Sequence, residues 1–90
     1  MDNFATRATT IIENIIDLRK RLIALNHSRV SISKETCERL QKELDETDCT
    51  DRPVAEFVMK NYKLLSQIQP GLDKTTVAKL RQEAQFLVNS

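Results

Sequence analysis

The chain has 90 residues, room for one domain with one modest core. Its 14 Lys and Arg against 13 Asp and Glu leave a formal net charge of +1, which argues against charge-driven disorder and against a strongly basic nucleic-acid binder. Four aromatics, no Trp, one Gly and two Pro leave aliphatic side chains to build the core and few breaks for a turn-rich β architecture, so long helices are expected.

The first stretch, residues 4–25, carries Phe4, Ala8, Ile11, Ile15, Leu18, Leu22 and Leu25 at gaps alternating between four and three. That is the heptad signature of a helix with a continuous apolar seam. Ile12, Ile16 and Ile23 widen the seam to roughly half the helix circumference at about 100° per residue. So broad a stripe predicts two or more packing partners, in this chain or another. Asp17 and Arg21 stand four apart in the favourable acid-first order. Arg19, Lys20 and Arg21 suit the helix C-terminal end, and Asn26, His27 and Ser28 read as its stop. Residues 1–5 are a polar lead-in expected to fray.

A connector follows, and Ser33 is the expected N-cap of a second helix over 34–47, with Ile32 and Cys37 spaced as a hydrophobic staple. Cys37, Leu40 and Leu44 make a thin apolar stripe on an otherwise charged helix, which places it on the outside of the bundle. Thr50 or Asp51 is the expected cap of a third helix over 53–68, with Pro53 in its first turn, where no amide donor is needed. Val54, Phe57, Val58, Tyr62, Leu65 and Ile68 give that helix a firm apolar face, so it is the expected main partner of the first. Pro70-Gly71 ends it, and Asp73 is the expected cap of a fourth helix whose Val77, Leu80, Ala84 and Leu87 repeat the three-four spacing.

These features predict an all-α fold, a four-helix up-down bundle with a long N-terminal helix, filling residues 1–90 as a single helical bundle domain, because short loops force neighbours antiparallel. The first helix spans about 30 Å at 1.5 Å per residue, longer than its companions, so either its N-terminal turns fray or a second molecule packs against the excess.

Chemistry is sparse. No apolar run approaches the ~18 residues of a membrane span. Glu13 and Asp17 interrupt the first apolar stretch, and Met1-Asp2-Asn3 is not a basic leader, so no secretory signal is expected. Cys37 and Cys49 read as free thiols of a cytoplasmic or nuclear protein, Cys37 as core filler and Cys49 as a loop thiol. One histidine, His27, and two scattered cysteines offer no zinc spacing and no nucleophile–base set. The acidic residues Glu43, Asp45, Glu46, Asp48 and Asp51 lack the glycine and distal glutamate of a calcium loop. No catalytic, cofactor-binding or metal site is expected, and the chain is not read as an enzyme.

Charge is nevertheless uneven. The stretch 19–42 holds seven basic residues against two acids, and the stretch 43–56 holds six acids against Arg52 alone. Val30-Ser31-Ile32-Ser33 leads into one helix, and Val54-Ala55-Glu56 through Tyr62-Lys63-Leu64-Leu65 lies in another. These residues resemble the end of the N-terminal helical domain of transcription elongation factors, over less than half of the chain. The tight glycine turn of that family is absent and Tyr62 stands where Trp is usual, so the chain is not assigned to it.

The reading that follows is a non-enzymatic protein–protein interaction module, an adaptor or regulatory subunit that binds another protein or a second copy of itself. Ile12, Ile16 and Ile23 are the expected apolar contact edge, and Arg19, Arg21 and Arg29 its polar rim. The alternative is a small nucleic-acid-binding transcription regulator using the basic stretch 19–42. Neither a membrane nor a small-molecule substrate is expected as a partner.

Overall fold

The computed structural model describes residues 3–26, 30–68 and 74–90. Among these, all regular structure is helical: α1 (Phe4–Ala24), α2 (Lys34–Glu46), α3 (Asp51–Gln67) and α4 (Lys74–Val88). The molecule is a helical bundle measuring 42 × 26 × 23 Å along its principal axes. At 21 residues α1 is the longest helix described. It packs against α3 and less extensively against α2, while α3 packs most extensively against α4.

The helix ends follow local chemistry. The Asn3 side chain accepts a hydrogen bond from the Thr6 N–H at 2.8 Å, satisfying one of the orphan amides of α1. At the other end Asn26 has φ 56°, the left-handed conformation that asparagine tolerates and that stops the helix. Ser33 caps α2 by accepting from the Thr36 N–H at 3.1 Å. Ile32 and Cys37, the expected staple pair, are both buried. Pro53 falls in the first turn of α3, where its missing donor leaves no gap. Pro70, Gly71, Leu72 and Asp73, read as a stop and a cap, lie outside the described residues.

One sequence expectation is overturned at the start of α1, and of the two expected caps of α3 Thr50 holds the position. The N-terminal turns of α1 do not fray: the helix starts at Phe4, and Phe4 and Ala5 are buried. Nor does Asp51 cap α3. Thr50 occupies the N-cap position of α3 without a side-chain bond, and the Asp51 carboxylate instead accepts from the Ala5 N–H of α1 at 2.9 Å. The reason is geometric. The first turns of α1 and α3 lie side by side, so a carboxylate on one meets an unpaired amide on the other.

The core draws on every helix. Ala8, Ile12, Ile15 and Ile16 of α1 join Cys37, Leu40 and Leu44 of α2, Val54, Phe57, Val58 and Leu65 of α3, and Val77, Leu80 and Ala84 of α4. The narrow stripe of α2 is the one its spacing predicts. A buried Asn61 within α3 is satisfied locally, its Nδ2 donating to the Phe57 carbonyl at 3.0 Å. On the outside, Arg81 of α4 stacks on the Tyr62 ring 4.5 Å from its centroid, and Lys60 of α3 pairs with Glu43 of α2 at 3.2 Å.

The Asp51 contact gives a direct test. Asp51→Ala is expected to lower the unfolding free energy by about 1 kcal/mol, the usual worth of a helix cap, whereas Asp51→Asn, which keeps an acceptor oxygen, retains most of it. Urea denaturation followed by circular dichroism measures both. An alanine variant as stable as the parent would remove the contact from the account.

Candidate functional site

The buried face of α1 does not coincide with the heptad seam. Its buried residues are Phe4, Ala5, Ala8, Ile12, Ile15, Ile16 and Arg19. Ile11, Leu18 and Leu22 of the seam are half-buried, and Leu25 is 77% exposed. The apolar stripe is as broad as the sequence indicates, but the core takes the side centred on Ile12 and Ile16. What remains at the surface is the other margin, toward the C-terminal end.

This corrects the expected contact edge. Ile12 and Ile16 are both 0% exposed, enclosed by the chain's own helices, and present no surface to a partner. Of the three isoleucines Ile23 alone keeps partial exposure. Arg19 is also not a rim residue: it is 3% exposed, because it lies on the same face as Ile12 and Ile16 and follows them into the interior. Its Nε donates to the Ile32 carbonyl at 3.1 Å, and its Nη2 donates to the same oxygen. Arg21 is exposed and pairs with Asp17 at 2.9 Å, an exposed i,i+4 bridge worth a few tenths of a kcal/mol. Arg29 and His27 lie outside the described residues.

The remaining apolar surface is a strip along the end of α1. Leu18, Leu22 and Leu25 are spaced i, i+4 and i+7, so they share one helix face, with Ile23 beside them. Below Ile23, a cavity of about 240 Å³ separates the end of α1 from the start of α2, lined by Arg19, Ile23, Ala24, Lys34, Cys37 and Glu38 among others. At the other end of the molecule a shallower groove runs between α1 and α4, bridged by an Arg7–Glu83 ion pair at 3.1 Å. Phe86 of α4, 75% exposed, stands beside Asp51 and Leu87 in a neighbouring hollow.

Both cysteines are free, Cys37 buried and Cys49 exposed. Burial pushes the Cys37 thiol above its ordinary value of 9.0, against the smaller opposing pull of the Arg19 and Lys20 charges. A buried thiol held in its neutral form is a poor nucleophile. Among the described residues, no group of three or more His, Cys, Asp or Glu is arranged to hold a metal ion. None of their helices is long and apolar enough to cross a membrane. No family model matches the chain, and no curated protein or solved structure shows significant similarity to it.

The burial of Arg19 runs against its expected rim position, although the sequence carries a signal for it. Ile12, Ile16 and Arg19 follow the i, i+4, i+7 rule, which puts the guanidinium in line with the most apolar stripe of the helix.

Two expectations follow from this geometry. Ile16→Val should cost about 1 kcal/mol of stability and Leu25→Ala less than about 0.5 kcal/mol, because one removes a core methylene and the other trims exposed surface. Thermal unfolding of the two variants ranks them, and the reverse order would move the core to the other margin of α1. The second expectation concerns pH. The folded-state pKa of Cys37 is raised, so the unfolded thiol ionises first, and the stability gained from keeping it neutral is present below 9.0 and lost as pH rises beyond it. The difference between the parent and Cys37→Ala, read by urea denaturation across that range, isolates the effect. Parallel curves for the two proteins would rule it out.

Proposed function

We propose that the chain is a non-enzymatic protein–protein interaction module, an adaptor or regulatory subunit, built as an up-down four-helix bundle with a long N-terminal helix. The Ala5–Asp51 contact joins the N-terminal ends of α1 and α3, and a hydrogen bond from the Ser31 hydroxyl to the Gln67 carbonyl joins the connector after α1 to the C-terminal end of α3. Both support a topology in which α1 and α3 run parallel and the helix between them returns.

The observation that carries the functional reading is the strip Leu18–Leu22–Leu25. A regular leucine ladder on the longest helix, running outward from the core to a leucine 77% exposed, is the face a partner helix takes in helix-on-helix recognition. Ile23 extends its apolar width and the exposed Asp17–Arg21 pair borders it. The partner is another protein or a second copy of this chain. The alternative, a nucleic-acid-binding regulator, rests on the exposed Lys20, Lys34, Arg39 and Lys42 once Arg19 is set aside as buried.

The test is purification from the native source with the mass of the recovered complex measured, alongside a Leu22→Gln/Leu25→Glu variant. The parent is expected in a complex heavier than its 10.4 kDa monomer, and the variant as the folded monomer. A parent that is monomeric throughout, or a variant that keeps the complex intact, would overturn the reading. Binding to random duplex that weakens steeply with salt would favour the alternative instead.

A further inference from the structure

Two large apolar side chains stand out from the described surface, Leu25 at 77% exposed and Phe86 at 75%. They lie at opposite ends of a molecule 42 Å long. Leu25 finishes the ladder at the C-terminal end of α1, while Phe86 lines a hollow with Phe4 and Arg7 from the first turns of α1. That hollow, about 440 Å³, is many times the ~30 Å³ share of one liquid water, and Phe4, Phe86 and Leu87 give it apolar walls. Charge divides between the same two ends. Lys20 and Arg21 flank the ladder, and Lys34 lies across from Ile23 at the start of α2. The exposed charges of the stretch 19–42 are these three with Arg39 and Lys42, against Glu35 and Glu38. At the hollow, Asp51 lies in the lining and forms no ion pair among the described residues. Only a short turn separates it from the end of α2, where Asp45, Glu46 and Asp48 are exposed.

We propose that the leucine ladder of one copy docks in the Phe86 hollow of a second copy, so that the chain assembles head to tail. This rests on the ladder as the docking face and names its partner. Leu25 enters between Phe86 and Leu87 of the next copy, and the basic flank of the ladder comes up against the acids around Asp51. Opposite charges then ring an apolar centre, which is how specific interfaces are built. Two-fold contacts lack this match. Ladder on ladder, turned about Leu22, sets Arg21 of one copy beside Arg21 of the other, and hollow on hollow does the same with Asp51. Like charges so placed oppose association. Because ladder and hollow are different surfaces at opposite ends, their contact leaves a free ladder and a free hollow on every assembly. Growth therefore continues past two copies.

The test is sedimentation velocity of the purified whole chain over a concentration series, with two variants, Leu25→Glu and Phe86→Gln. Both positions are exposed, so each variant keeps its fold, which circular dichroism checks. The average mass of the parent is expected to climb with concentration beyond twice the 10.4 kDa monomer, and to fall as added salt screens the opposed charges. Each variant alone should associate at least about tenfold more weakly, the loss of one central apolar anchor. Mixed in equal amounts they should regain the parent's affinity yet stop at two chains. Phe86→Gln supplies the intact ladder and Leu25→Glu the intact hollow. A two-fold contact gives no such rescue, so a mixture that stays monomeric overturns the proposal. A mass indifferent to salt overturns it as well. So does a parent that is monomeric at every concentration, and a heavier complex from the native source then leaves the ladder standing with another protein as its partner. Undiminished self-association of Phe86→Gln also overturns head-to-tail assembly. If Leu25→Glu is undiminished too, the ladder reading falls with it.

Discussion

The fold depends on covering the stripe Ala8, Ile12, Ile15 and Ile16 of α1. No single neighbour can cover so wide a surface, so α1 contacts α2 on one side and α3 on the other, and α3 in turn carries α4. Burying each isoleucine contributes about 2–3 kcal/mol, and their fully enclosed positions make them the centre of a core to which every helix adds residues. The short stripe of α2, three residues deep, suffices because α2 closes one flank and nothing more.

Polar contacts hold this apolar arrangement in register. Asp51 joins the start of α3 to the start of α1, Ser31 joins the connector to the end of α3, and Arg19 holds the same connector from inside through Ile32. Each uses a backbone group that helix geometry or a loop leaves unpaired, so each removes a desolvation penalty as it fixes a position. Arg19 differs in kind, since its charge enters the interior and no carboxylate among the described residues forms an ion pair with it.

The least covered apolar residues of α1 lie at its C-terminal end. The end of α1 outruns the core, leaving Leu22 and Ile23 half-covered and Leu25 exposed, and the space beneath it opens against α2. At the opposite end the Arg7–Glu83 bridge and the Asp51 contact tie α1 to α4 and α3, beside the groove and the hollow at which Phe86 is exposed. The excess length of α1 is thus accommodated as protruding surface, and its N-terminal turns are secured by Asn3 and Asp51.

The sequence by itself determined that the chain is helical, where α2 begins, which face of α2, α3 and α4 turns inward, and that α1 is too broad and too long for one neighbour. Those features are local: apolar periodicity, the Ser33 cap and the Pro53 first turn act within a few residues. The tertiary structure decided which half of the α1 stripe the core takes. With apolar residues over half its circumference, rotating α1 by part of a turn exchanges Ile12 and Ile16 for Leu18 and Leu22 at little change in amphipathicity, and only the shapes of α2 and α3 discriminate between them. The same choice carried Arg19 inside and drew Asp51 to α1, because both depend on which groups meet across helices far apart in the chain.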